Sequence, residues 1–579
     1  MSSIPRISLR WSRLAFAAPF LAFLLQPSLL QAQAPPIPER LPPDTVFYIH
    51  WHGKASLTAA SAKNHVLQLY EDPDMAPLWQ ALINKLKAGK GAQGIAPAVV
   101  LAAVSSLLDN PAVVGFVANP NAQVTASPQG LSSLGGFFLV YDETGKADLI
   151  RMLTSASQSA GAPATTKYSF GGTSVEVQTT NGGAAIYTAH AGGYYLVSNQ
   201  KRTIEDLVIR FGGAATRAAS LGQLPEYRGV VKFLGADTSV DLFGRVPDFT
   251  KWIPPGAKYK PLALFLESLH LEKVHAFGEG ISFSGEATRM RGAVLGDTSP
   301  GGLFDIVGPS SAIFLTQPAI GTAPSFNISR VDLRATYQLI RAAVIAALTP
   351  QQARSVGPME SMAQGYLGMS IDDALGLFSG EFAMAQSYSE DGSQQLLFAM
   401  TIEKPDDVLR ILRAAVGKMI VAEDTSGNTT YLDLMYPYRD PATGTKRRKF
   451  YYLAVTPRML LTAPRKAMLQ AAVEQLNSPS GGAPDTSIFA DPEYIQMRSL
   501  LPENLSGLSG GEIDRIPWDK IAATFEAQME QGRKRSNSSA PDFSWLKQIN
   551  SDVISRHLHR RVGGWWKNST GVYFDSYIQ

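Results

Sequence analysis

Apolar and polar positions along this chain alternate in short runs, divided by paired glycines and broken by stretches with one apolar helical face. Tyr168-Ser169-Phe170 and Ser174-Val175-Glu176-Val177 flank Gly171-Gly172, and Gly192-Gly193 separates Ala185–Ala189 from Tyr194–Val197. Period-two alternation predicts half-buried strands, and paired glycines supply the positive dihedrals of tight hairpins. Strands joined in this way are antiparallel. A helix is predicted next, with Ile204, Leu207, Val208 and Phe211 on one face.

The same phrase returns later. Adding 265 gives Phe450–Ala454, Met459–Thr462, and a helix face of Leu469, Ala472, Val473 and Leu476. Four more blocks recur in order at offsets between 259 and 267. Pro43–Ile49 pairs with Pro309–Leu315, and Gly115–Ala118 with Glu381–Met384. Phe138–Tyr141 with Asp148–Leu153 pairs with Leu397–Met400 and Asp407–Leu412, and Pro225-Glu226-Tyr227 pairs with Pro492-Glu493-Tyr494. In the second copy, Pro405, Asp406 and Asp407 suit a helix N-terminus, ahead of the apolar positions Val408, Leu409, Ile411, Leu412 and Ala415. The growth in offset predicts extra residues in the later hairpins, with Arg439–Lys449 as a polar loop.

These patterns predict an α+β fold made of two tandem related modules, each a mainly antiparallel β-sheet with helices packed on one face. The predicted limits are 1–34 for a signal peptide, 35–43 for a proline-rich leader without regular structure, 44–300 for the first module and 301–579 for the second. His275–Leu295 reads as a further hairpin, and Gly571–Phe574 matches Gly280–Phe283, so each module is expected to close on this element. A chain of 579 residues at 45% hydrophobic exceeds what one core accommodates, which agrees with two.

Arg6, Arg10 and Arg13 precede an apolar run from Leu14 to Leu25 that is too short to span a bilayer comfortably. Cleavage is expected after Ala32 or Ala34, giving a periplasmic or extracellular protein with no transmembrane segment. Apolar Ile95–Leu108 is expected to be a buried helix. Losing three arginines and no acid takes the formal charge from +3 to neutral, so nothing global points to nucleic acid. The absence of cysteine excludes disulfides, thiolate metal sites and a cysteine nucleophile, and fits a bacterial envelope.

Candidate chemistry is sparse. His50 and His52 share a strand face and are the best metal candidates, with His65 as a third partner. The matching positions in the second copy are Thr316 and Pro318, and spacing fixes no third ligand. His557 and His559, two apart on a predicted helix, point to different faces. Ser198–Lys201 fits the S-x-x-K pattern without a K-T-G element, and Ser544 with Lys547 repeats it. Ser509 sits in G-x-S-x-G (Gly507–Gly511) without the strand and helix that a nucleophile elbow needs, and reads as a glycine-rich loop. Glu512 and Asp514 are a weak carboxylate pair. Lys446–Lys449 and Arg533–Arg535 are basic clusters expected on solvated loops, and Trp565-Trp566 with Tyr573-Phe574 are expected to close the second core. No catalytic, cofactor or metal residue is therefore assigned.

Leu41–Ile49, Glu71-Asp72-Pro73, Ile554–Leu558 and Asp575-Ser576 resemble a family of bacterial exported proteins catalogued as a domain of unknown function. The resemblance implies export and brings no site residues. The leading expectation is a non-catalytic envelope protein that binds another protein or an envelope polymer. The alternatives are a hydrolase with a dispersed site in the groove between the lobes, and a carrier of lipid or another hydrophobic ligand.

Overall fold

The computed structural model describes residues 36–579 apart from 58, 82–107, 120–134, 149, 151–164, 180–184, 214–218, 247–259, 317, 391, 440–444, 478–486 and 537–543. The signal segment, most of Ile95–Leu108 and most of the first-half helix expected at Asp148–Leu153 lie outside the described residues. Ten strands fall in the first half: β1 (Thr45–Trp51), β2 (Ala112–Ala118), β3 (Gly135–Asp142), β4 (Thr165–Phe170), β5 (Thr173–Thr179), β6 (Ala185–Ala191), β7 (Tyr194–Ser198), β8 (Val240–Arg245), β9 (Val274–Ser282) and β10 (Thr288–Gly296). Ten follow: β11 (Ser325–Arg330), β12 (Phe378–Tyr388), β13 (Gln394–Ile402), β14 (Ile420–Ser426), β15 (Thr429–Arg439), β16 (Lys446–Val455), β17 (Met459–Ala463), β18 (Gly507–Glu512), β19 (Arg560–Asn568) and β20 (Gly571–Ile578).

The ladders join all twenty into one antiparallel sheet. From one edge to the middle the order is β4-β5-β6-β7-β3-β2-β1-β8-β9-β10. From the other edge it is β14-β15-β16-β17-β13-β12-β11-β18-β19-β20. The two series differ by ten at every place and meet at the β10–β20 ladder, where Thr288 pairs with Ile578 and Leu295 with Gly571. The expected hairpins are present, with Gly171, Gly172, Gly192 and Gly193 all at positive φ.

Helices cover both faces of the sheet, which corrects the one-face expectation. Ala454 packs in the core that contains Leu469 and Val473 of helix Lys466–Asn477. Its neighbours Leu453 and Val455 pack with Val408 and Leu409 of helix Pro405–Val416. Successive strand residues point to opposite faces, so these two helices lie on opposite sides. The first half repeats this, with Val140 facing Ile204 and Leu207, and Tyr141 facing Ile150. Strand interiors with two apolar sides need two covers, which a search for single apolar faces does not register.

Four further expectations change. The leader is not without structure, since Ile37–Arg40 is a helical turn whose Ile37, with Leu41, is buried in the first core. Residues 311–315 form only a bridge from Ser311 to Leu505, so the strand in the place of β1 is β11 and not Pro309–Leu315. The ends of the supposed loop Arg439–Lys449 are strand, because β15 and β16 run on to Arg439 and Lys446. By place in the order, β20 matches β10, and Gly571–Phe574 does not match Gly280–Phe283, which begins in β9.

The halves are bound together beyond the shared ladder. Met75 and Leu78 pack with Val553, and Phe233 meets the ring of Tyr573 at 4.8 Å. Asp72 accepts from His557 Nε2 at 2.8 Å.

Candidate functional site

Two features stand apart from the sheet framework: a buried histidine–aspartate cluster and a projecting basic ribbon. The cluster begins with register. His50 of β1 lies directly opposite Asp241 of β8 in the ladder, so both side chains leave the same face. His52, just past the end of β1, shares that face by period. His50 Nδ1 is 3.1 Å and His52 Nε2 is 2.8 Å from the same oxygen, Asp241 Oδ1. The two rings lie 3.9 Å apart between centroids. His50 and Asp241 are 3% and 8% exposed, and the His52 side chain keeps 30%, so the cluster opens to solvent on one side only.

Burial pushes His50 down, towards the neutral ring, against the pull of Asp241. Burial alone would push Asp241 up, but the two imidazoles hold its carboxyl well below the usual range. An ionised carboxylate only accepts, so both ring nitrogens facing it donate. Burial also pushes up the phenol of Tyr48, with the charge of Asp241 and contact with Tyr227 adding to the shift.

The other half of the sheet offers a comparison. Tyr48 and Phe326 hold the same place, each a buried strand aromatic meeting a helix tyrosine: Tyr227 at 6.5 Å and Tyr494 at 6.1 Å. Two residues further along, β1 has His50 opposite Asp241, and β11 has Ile328 opposite Leu508. Ile328 and Leu508 are both buried. The framework therefore accepts an apolar pair where the first half carries His50 and Asp241.

The structure brings His50 and His52 together as their spacing predicts, but the third member is Asp241 and not His65. His65 Nδ1 instead contacts the carbonyl of His557, at 2.9 Å. Asp241 carries a signal that sequence reasoning passed over: an acid within the apolar run Val240-Asp241-Leu242-Phe243, in phase with Phe243. His557 and His559 part company, the first on Asp72 and the second 3.7 Å from Asp514.

Ser198 and Ser509 each bond a backbone carbonyl and not a general base. Ser198 ends β7, is 1% exposed, and donates to the Phe137 carbonyl at 2.9 Å, while Lys201 turns out to Glu205. Gly507–Gly511 is strand β18 and not a loop, and Ser509 Oγ points to the Gly563 carbonyl at 3.4 Å. Glu512 and Asp514 both face Arg560, at 3.5 and 3.4 Å, as ion-pair partners. An open cavity of about 730 Å³ beside the β10–β20 ladder is lined in part by Asp44, Glu226, Arg245, His275, Leu295 and Thr570. Its arginine is held by Glu226 at 3.2 Å and the Pro43 carbonyl at 2.8 Å.

The second feature is the far end of the β15–β16 hairpin. Neighbour β14 reaches only Leu434, and neighbour β17 reaches only Tyr452. Met435–Arg439 and Lys446–Tyr451 thus project as a two-stranded ribbon with no flanking strand among the described residues. This stretch carries five cations and no acid. Lys446, Arg447, Arg448 and Lys449 are exposed, and Tyr436, Phe450 and Tyr451 are 48%, 43% and 36% exposed. Register puts Tyr436 opposite Lys449 and Tyr438 opposite Arg447, and Lys449 Nζ sits 5.0 Å from the Tyr451 ring. Among the described residues no helix is long and apolar enough to cross a membrane, which says nothing of strands.

No protein-family profile and no curated protein matches this chain. Solved structures of TP0453 in three crystal forms do match. Identities are 12%, 11% and 10%, and TM-scores are 0.24, 0.24 and 0.23. The matches cover 46%, 45% and 45% of this chain and 81%, 79% and 79% of TP0453. Likeness at that level carries no argument about fold or function.

Proposed function

We propose that this is an exported bacterial envelope protein, non-catalytic, built from two related modules and used to bind an acidic envelope polymer. The projecting ribbon carries the reading. Exposed aromatic rings on an unflanked hairpin are costly to leave in water without use, and the cations beside them suit phosphate- or carboxylate-bearing partners. The chain between β5 and β6 in the first half reads Asn181-Gly182-Gly183-Ala184, with no cation. The basic ribbon is then an addition to one module and no requirement of the fold.

Descent of the modules from one unit is supported by the ten-for-ten strand order. It is also supported by offsets of 259 from Val140 to Ala399 and 265 from Leu196 to Leu461, pairs that hold equal places in the ladders. Export is supported by the basic, apolar and small-residue sections of residues 1–34.

The test is binding of the full chain to purified lipopolysaccharide, an anionic envelope polymer, with neutral dextran as control. Replacing Lys446, Arg447, Arg448 and Lys449 by alanine is expected to weaken binding roughly 100-fold or more, from about 1 kcal/mol per cation near an anionic surface. Equal binding by the variant would falsify the ribbon as the contact. Capture of an acidic protein alone in crosslinking of cells would move the partner from polymer to protein.

A further inference from the structure

We infer that His50, His52 and Asp241 form a binding site for a divalent transition-metal ion of the zinc class. Three ligand atoms of the right kind converge: two imidazole nitrogens and a carboxylate oxygen, all within 4.8 Å of one another. Two nitrogens and one oxygen with a fourth position open are a recognised zinc ligand set, whereas magnesium and calcium prefer all-oxygen shells. The partly exposed edge of His52 leaves a way in from solvent.

Metal–ligand bonds near 2.0–2.2 Å put tetrahedral ligands roughly 3.3 Å apart. The two nitrogens stand 3.1 and 2.8 Å from Asp241 Oδ1, each within a few tenths of an ångström of that spacing. Each neutral imidazole would turn its proton to the other ring nitrogen and offer a lone pair, with no net proton lost. The framework is preset for this, because His50 and Asp241 are direct partners in the β1–β8 ladder. Tyr48, on the same strand face as His50, lies within the field of the Asp241 carboxylate.

The strongest support is the contrast between the halves. Where β11 and β18 bury Ile328 against Leu508, β1 and β8 bury a charged carboxylate between two imidazoles. An apolar pair meets the needs of folding at that place, and buried polar groups usually cost more than a hydrophobic isostere. A ligand accounts for keeping them.

The purified full chain should be titrated with Zn²⁺ and with Mg²⁺ by calorimetry, and with Co²⁺ by visible absorption. Expected are saturable Zn²⁺ uptake, the visible band of a low-coordinate Co²⁺ nitrogen–oxygen site, and no Mg²⁺ binding. His52→Ala and Asp241→Asn should each lower Zn²⁺ affinity roughly 100-fold or more, and His65→Ala should leave it unchanged. Circular dichroism separates lost ligands from lost fold, and if Asp241→Asn unfolds, the partly exposed His52→Ala decides. A wild-type chain that takes up no Zn²⁺ overturns the site. So does Zn²⁺ binding that survives His52→Ala, or that disappears in His65→Ala.

Discussion

Arg289 clasps Asp575 across the ladder that joins the two halves, with Nε 3.0 Å from Oδ1 and Nη2 reaching Oδ2. The Asp575 side chain is 6% exposed and that of Arg289 29%. Removing the carboxylate would leave a half-desolvated guanidinium, but water reaches it and recovers part of the loss. Asp575→Ala is therefore expected to destabilise by about 2–3 kcal/mol, below the full cost of breaking a buried pair. Urea unfolding of the single variants and of Arg289→Met/Asp575→Leu tests this, with the double variant expected to lie closer to wild type.

The same ladder depends on a glycine. Gly292 faces Phe574 directly, and a Cβ there would overlap the ring. Gly507 with Trp565 and Gly244 with Phe277 repeat the arrangement, each a glycine covered by its cross-strand aromatic. Gly292→Ala should cost about 1–3 kcal/mol by overpacking, and Phe574→Leu added to it should restore part of that. Thermal unfolding of the two variants is the measurement. A neutral Gly292→Ala would mean the ring is free to move.

Acid sensitivity is expected at Asp491. Its carboxylate caps helix Pro492–Arg498 through the Glu493 and Tyr494 amides at 2.8 and 3.1 Å, and lies 2.9 Å from Arg560. Burial alone would push it up, but the amides and the guanidinium hold it below its ordinary 3.8. The folded value being the lower one, the unfolded chain binds more protons near that pH, so stability rises with pH there. The contribution is present above about pH 4 and is lost as pH falls through the folded value. Asp491→Asn keeps a cap but not the titration. Urea midpoints at about pH 6 and about pH 3 should differ less for the variant than for wild type.

The contrast between His50–Asp241 and Ile328–Leu508 can be measured as stability. His50→Ile with Asp241→Leu is expected within about 1 kcal/mol of wild type or above it, because the pair then matches its counterpart. Asp241→Leu alone strands a buried ring N–H and should cost about 1–3 kcal/mol. Metal-free protein in urea is the assay. A double variant as damaged as the single one would mean the two places are not equivalent.

Leu41 is fully buried in the first core, beside Ile37 of the preceding turn. The Arg40 guanidinium sits 4.4 Å from the Phe211 ring centroid and donates to the Arg210 carbonyl at 2.9 Å. Leu41→Ala is expected to cost about 2–4 kcal/mol, as for other buried leucines. A loss under about 0.5 kcal/mol, typical of surface positions, would show that this segment is dispensable.

Local periodicity alone determined much of this protein: the helices Lys201–Phe211, Pro405–Val416 and Lys466–Asn477, the glycine hairpins, the antiparallel sense and the recurrence at 265. The helices, hairpins and strand sense follow from contacts between residues near in sequence, where side-chain period and turn chemistry leave few options. The metal-capable spacing of His50 and His52 was legible for the same reason. Beyond the hairpins, only tertiary structure decided which strand lies beside which. The counterpart of β1, the β10–β20 ladder and the meeting of His50 with Asp241 all depend on pairing between distant strands. Alternation records that a face is buried but not what buries it. The leader was misjudged on the same ground, since Ile37 and Leu41 gain their burial from a core assembled mostly from residues more than a hundred positions away.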